Sequence, residues 1–231
     1  MRILAIIQFC FLFSISVYGQ ESFNQLDDKG KKHGLWKEYY ENNSLRYEGE
    51  FEHGKEIGVF KFYKRNNAKH PAATKSFNRE NDSVLVQFFD SKGRLESEGN
   101  MVNEEREGLW KYYKRGLKDQ PIMTETYKNN KLDGWKIIYY TNGKIAEKTH
   151  FLNGLKDGEL IIYSENGQVL QQYKYKDNRL HGNSKVFDAL GNITSEGNYK
   201  QGHRDGKWKF YTEGKLDSIQ NYPLPRQVKK N

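Results

Sequence analysis

Residues 134–157 read GWKIIYYTNGKIAEKTHFLNGLKD, and residues 158–181 read GELIIYSENGQVLQQYKYKDNRLH. The two lines superpose without a gap. Each opens on Gly, places a Tyr five positions later (Tyr139, Tyr163), passes an Asn-Gly pair (Asn142-Gly143, Asn166-Gly167) and reaches a second aromatic (Phe151, Tyr175). Self-similarity at a fixed period of this size marks a repeat architecture. Asn-Gly between alternating apolar positions marks a hairpin, because both residues tolerate positive φ.

The pattern extends in both directions. Gly34 precedes Tyr39, Gly58 precedes Tyr63, Gly108 precedes Tyr113, Gly182 precedes Phe187 and Gly206 precedes Tyr211. Between Gly58 and Gly108 the segment Ser83 to Phe88 reads as a further copy with Ser in place of Gly, which makes eight units. The second strands end at Phe51, Phe77, Met101, Tyr127, Phe151, Tyr175, Tyr199 and Tyr222, followed by second turns such as His53-Gly54, Asn153-Gly154 and Gln201-Gly202. No segment carries a helical period over three turns. The expected fold is all-β: tandem β-hairpin repeats of ~24 residues in an elongated single-layer antiparallel sheet, roughly 75 Å long for sixteen strands spaced about 4.8 Å apart.

Tyr47-Glu48-Gly49-Glu50-Phe51-Glu52-His53-Gly54-Lys55-Glu56-Ile57-Gly58 resembles a MORN repeat, whose pattern is Y-x-G-x-[FWY]-x-x-G-x-x-x-G. Glu196-Gly197-Asn198-Tyr199 through Gly206 repeats that core, and Glu98-Gly99-Asn100-Met101 starts a degraded copy. The likeness covers residues 30 to 222. The common unit has another Gly two positions after its last one; here that slot holds Trp36, Phe60, Leu85, Trp110, Lys136, Leu160, Ser184 and Trp208. In this the chain is similar to the bacterial MORN variant of the YwqK-family antitoxins. The resemblance implies a stacked-hairpin sheet and, as function, neutralisation of a partner protein or binding to an acidic membrane surface.

The composition fits a thin structure. Mean hydropathy is −0.97 and aromatics are 14% of residues, Tyr outnumbering Phe. Tyr, apolar in body and polar at its tip, suits half-exposed surfaces. The net charge of +8 comes from lysines spread along the chain. No nucleic-acid partner is expected; an unidentified protein or an anionic envelope surface is.

At the N-terminus, Arg2 and the apolar run Ile3 to Val17 form a secretory signal, with cleavage expected before Gln20. Cys10, the only cysteine, lies inside it. The expected organisation is a signal peptide at 1–19, an N-terminal cap at 20–32, the repeat array at 33–222 and a basic tail at 223–231. It leaves a periplasmic, envelope-associated or secreted protein with no transmembrane segment after signal removal.

No Ser-His-Asp elbow, phosphate loop or Cys/His metal spacing is present. Neither catalytic, cofactor nor metal residues are expected, and the chain reads as a non-catalytic scaffold. The acids before the repeat glycines, such as Asp133 and Asp157, are expected to bond their own turns. Counting from each Gly, positions +2 and +4 share one face while +3 and +5 share the other. The +5 column is always Tyr or Phe, hence structural. The +2 column varies, so Trp36, Phe60, Trp110 and Trp208 are candidate partner contacts, aromatic residues being enriched at binding hot spots. A second candidate set lies on two long tips, Lys64 to Pro71 and Lys114 to Pro121, which share one edge: Arg65, Lys69, Arg115 and Lys118.

Overall fold

The computed structural model describes residues 22–78, 82–117 and 120–224. The leader, Lys118 and the tail from Pro225 onward lie outside the described residues. Every described element is a strand, isolated bridge or turn. A short β1 (Gln25–Leu26) precedes unit one, β2 (Lys32–Tyr39) and β3 (Leu45–Glu52). Units two to four are β4 (Lys55–Phe62) with β5 (Ala73–Phe77), β6 (Ser83–Phe89) with β7 (Leu95–Val102), and β8 (Glu105–Tyr113) with β9 (Pro121–Lys128). Units five and six are β10 (Lys131–Tyr139) with β11 (Ile145–Leu152), and β12 (Leu155–Tyr163) with β13 (Val169–Lys176). Unit seven is β14 (Arg179–Leu180), β15 (Gly182–Phe187) and β16 (Ile193–Lys200); unit eight is β17 (His203–Thr212) and β18 (Lys215–Tyr222).

Each strand pairs antiparallel with its neighbours in the chain, so the hairpins form one open meander. Contacts between elements concentrate in these sequential pairs, as in a single layer. The turns between units hold two consecutive positive-φ residues, as at Asn129-Asn130, Asn153-Gly154 and Asp177-Asn178. That is the type I′ geometry whose twist matches the strands. At the start of the array, Asn24 stands in for a strand residue: its N–H donates to the Leu35 carbonyl, its Nδ2 donates to that of Lys37, and its Oδ1 accepts from Lys37 N–H.

The repeat Gly sits at positive φ in a bulge. In β4, Ile57 pairs with Glu50 and Lys61 with Glu48, so the strand carries two extra residues at Gly58-Val59. The same irregularity recurs in β8, β10, β12 and β17. Two extra residues preserve side-chain parity, so the expected face assignment stands in these units. Unit three differs. No bulge interrupts the pairing of β5 with β6, and Val84, not Ser83, faces Met101 where a repeat Gly faces its second aromatic. The +2 residue there is Val86, not Leu85, and the +5 residue is Phe89, not Phe88. The reason is the two-residue insertion in the preceding tip, which shifts the unit along the chain.

Register aligns the +2 residues into one row across the sheet. Trp36 faces Gly49, Phe60 faces Lys75, Lys75 faces Val86, Val86 faces Gly99, and Trp110 faces Glu125. The row continues through Lys136, Thr149, Leu160 and Tyr173 to Ser184, Gly197, Trp208 and Gln220. This row is the core: Phe60, Trp110 and Trp208 are 0%, 1% and 2% exposed. A single layer buries them by three means. The facing Gly lets the ring lie flat on the neighbouring strand; a Cβ on Gly49 would come within 2.5 Å of the Phe60 ring. Second-strand aromatics pack edge-on, as Phe51 does on Phe60 and Tyr199 on Trp208. Cations four residues earlier on the same strand lie over the rings: Lys32 over Trp36 at 4.7 Å, Arg106 over Trp110 at 4.8 Å and Arg204 over Trp208 at 4.4 Å.

Phe60, Trp110 and Trp208 are therefore packing residues, and Trp36 is half-buried beneath Lys32. Reading them as an open contact face is corrected: a partner cannot touch a ring that its own sheet and a cation already cover.

Candidate functional site

With the aromatic face closed, the accessible chemistry lies on the opposite face and along the tip edge. The opposite face carries the +1, +3 and +5 columns. Its central row alternates charge. Glu48 lies between Lys37 and Lys61, at 3.8 and 3.3 Å, and accepts from the Tyr63 hydroxyl at 2.8 Å. Unit eight repeats the cluster: Glu196 accepts from Lys209 at 3.2 Å and from the Tyr211 hydroxyl at 2.9 Å. Glu98 holds Tyr113 at 2.7 Å and stands 3.9 Å from Lys111. Burial raises the pKa of Glu48, but hydrogen bonds from Tyr63 and Lys61 outweigh it and hold the carboxylate below its ordinary range. Burial and the same bond push Tyr63 up to about 12. These clusters are self-neutralised and fix the +5 tyrosines.

The +1 column is different. Leu35, Val59, Leu85 and Leu109 are 40%, 51%, 37% and 51% exposed. They recur on alternate strands of units one to four. Phe23, from the segment before β1, extends the stripe, and with Leu35, Val59, Lys37 and Lys61 it lines a shallow hollow of about 290 Å³. The equivalent positions in units five to eight are Trp135, half-buried against His150, and then Glu159, Asn183 and Lys207. The exposed aliphatic stripe thus belongs to the first half of the array. It sits one position before the residues the sequence singled out, and in a strand one position is the other face.

The long tips lie beside this half. Asn67 Nδ2 donates to the Ser91 carbonyl at 3.0 Å, Ser44 Oγ to that of Arg65 at 2.8 Å, and Tyr40 Oη to that of Tyr63 at 2.9 Å. Successive tips are thereby laced into a ridge. Arg65 pairs with Glu41 at 3.2 Å, and Arg115 reaches Asp90 at 3.9 Å. Asp90 is bound first by Arg94, whose guanidinium and backbone N–H hold it well below the usual carboxylate range. Lys69 makes no ion pair among the described residues; its N–H donates to Asn67 Oδ1. Lys64, Lys92 and Lys114 are likewise without an ion pair there. The unit-four tip and the unit-three turn enclose a pocket of about 500 Å³ lined by Leu95, Glu96, Glu98, Tyr113, Arg115 and Leu117, among others.

No cluster of three metal-ligating side chains exists among the described residues. Two of the acids before the repeat glycines bond the next unit's turn instead of their own. Glu107 accepts from Asn129 N–H at 3.0 Å and Asp133 from Asn153 N–H at 3.1 Å. They act as staples between units.

Comparison with known families agrees with the repeat. The model of the MORN repeat variant matches residues 32–53, 132–153, 156–177 and 180–201. No curated protein matches the chain. The four matched stretches are units one, five, six and seven. Units two and four, with long tips, unit three, without its bulge, and unit eight fall outside the matches.

Proposed function

We propose that the chain is a non-catalytic repeat scaffold, exported from a bacterial cell to its envelope or exterior, that binds a partner protein through the face carrying Leu35, Val59, Leu85 and Leu109. The observation that carries this reading is the confinement of the exposed aliphatic stripe to units one to four, while the same column becomes Glu159, Asn183 and Lys207 farther on. Packing within the sheet does not account for the asymmetry, since the polar versions occupy equivalent strands. The same half carries both tip insertions and the pocket beneath Arg115 and Leu117. Insertions gathered on one side are a usual mark of the working side of a repeat protein. A protein antagonised in the manner of an antitoxin target would occupy this same face.

The test is affinity capture from an envelope fraction with three forms of the mature protein: wild type, Leu109→Glu and Lys207→Glu. Leu109→Glu loses the captured partner and Lys207→Glu keeps it, with unchanged melting temperatures. Equal capture by both variants rejects the stripe as the interface.

The tip ridge supports a second reading. Lys64, Lys69, Lys92 and Lys114 give it a cationic rim suited to an anionic membrane surface. Co-sedimentation with acidic vesicles at two salt concentrations separates the readings, because binding through exposed charges weakens as salt rises.

A further inference from the structure

Units four and eight build closely similar clusters on the aromatic face. In unit four, Arg106 lies over Trp110 and its Nη1 donates to the Tyr127 hydroxyl at 2.9 Å. That hydroxyl donates to Glu125 at 2.7 Å, and Glu125 also pairs with Lys136 at 3.0 Å from the next strand, β10. In unit eight, Arg204 lies over Trp208 and its Nη1 donates to the Tyr222 hydroxyl at 2.8 Å, which donates to Gln220 at 2.9 Å. Gln220 faces Trp208 as Glu125 faces Trp110. The cation, the indole and the bridging tyrosine are kept; the carboxylate has become an amide.

Arg204, like Arg106, makes no ion pair with a carboxylate among the described residues; what unit eight lacks is the carboxylate on the far side of the bridging tyrosine. Among the described residues its surroundings are also open where those of Arg106 are closed, because no described strand beyond β18 takes the place of β10. Arg204, Tyr199, Tyr222, Pro223 and Leu224 line a depression of about 460 Å³ at this end of the array. A guanidinium presents several donors in a planar fork that matches a carboxylate; here Tyr222 accepts from one of its nitrogens and the Tyr199 hydroxyl also engages it.

We propose that this depression is a binding site for a carboxylate with a small apolar body, such as the free C-terminal residue of a peptide. The carboxylate sits next to Arg204, whose charge no described carboxylate meets, and the Tyr222 hydroxyl. The apolar body rests on Tyr199, Pro223 and Leu224. The site is separate from the aliphatic stripe of units one to four and does not depend on it.

The mature protein is titrated with N-acetyl-leucine or its neutral analogue N-acetyl-leucinamide at constant ionic strength, reading the Arg204 Nε–H and Trp208 Nε1–H resonances. The acid shifts both saturably, and the amide binds at least tenfold more weakly. Arg204→Gln uncovers Trp208 and is open to the objection of unfolding. Gln220→Glu supplies the informative variant: it installs the carboxylate that unit four already accommodates, leaves the melt unchanged and weakens N-acetyl-leucine at least tenfold. Equal response to acid and amide, undiminished binding by Gln220→Glu, or shifts that never saturate would each overturn the assignment.

Discussion

The indole of Trp110 lies flat across Gly99 on the neighbouring strand, so close that a Cβ built on Gly99 would clash with the ring. The Trp110 Nε1–H donates to the carbonyl of Asn100, the next residue along, at 3.1 Å. Trp208 repeats the arrangement on Gly197, donating to the Asn198 carbonyl at 2.9 Å. The Gly after each Glu in the repeat core thus serves packing: φ is ordinary there, and what matters is the missing side chain.

Gly99→Ala is accordingly expected to displace the Trp110 ring and lower stability by about 1–3 kcal/mol, the usual cost of overpacking a filled core. Urea unfolding of Gly99→Ala beside Ser97→Ala, two positions away on the same strand, measures it. Equal losses in the two variants would refute a specific ring–glycine fit.

Trp110→Ala is expected to cost about 3–5 kcal/mol, the range for removing a buried Trp. Tyr163→Ala, which removes a half-buried ring, is expected to cost about 1 kcal/mol, typical of a point substitution outside the core. Thermal melts of the two variants give the order directly. The reverse order, with Tyr163→Ala the more damaging, would restore the +5 column as the main packing element.

That reversal shows what the sequence carries and what it withholds. The period, the turns and the two-residue parity were legible, because Gly, Asn-Gly and aromatic residues recur at fixed offsets. The role of the +2 column was not. Its variation, from Trp110 to Lys136, looked like freedom from packing. In the structure these +2 residues answer to residues on the facing strand: Trp110 to Gly99, Lys136 to Glu125. Such compensation is invisible until the register is known. Unit three was misaligned by one residue for a related reason. Phe88 and Phe89 are both aromatic, so composition alone could not tell which one held the +5 place.

Acid should loosen the cap. Asp27 accepts hydrogen bonds from His53 and from the N–H groups of Lys31 and Lys29, which lower its pKa to about 2. A carboxylate whose folded pKa is depressed contributes stability that is present above its unfolded pKa and is lost as pH falls through the folded one. The window lies between about pH 4, the unperturbed carboxylate range, and about 2. Amide exchange at Lys29 and Lys31 is expected to lose protection across that window, and Asp27→Asn to remove the pH dependence. A midpoint near that of a free aspartate would show that the bonds to His53 and the two amides contribute little.

The middle of the core row tests whether ionic groups there stabilise the sheet or merely fit it. Glu125 is 7% exposed between Trp110 and Lys136. Burial raises its pKa, yet hydrogen bonds from Tyr127 and Lys136 prevail and keep it ionised. Removing one member of such a pair leaves the other buried without its counter-charge, at a cost of about 3–5 kcal/mol. Glu125→Leu alone is expected near the lower end of that range, since Lys136 is less deeply buried and can reach water. The double variant Glu125→Leu/Lys136→Leu should recover most of the loss, because Leu160 already occupies the same column one unit later and fits the sheet as a buried aliphatic. A double-mutant cycle by chemical denaturation reads the coupling. Additive losses would mean that the two side chains act independently and that the charged stretch of the row is held by its other neighbours.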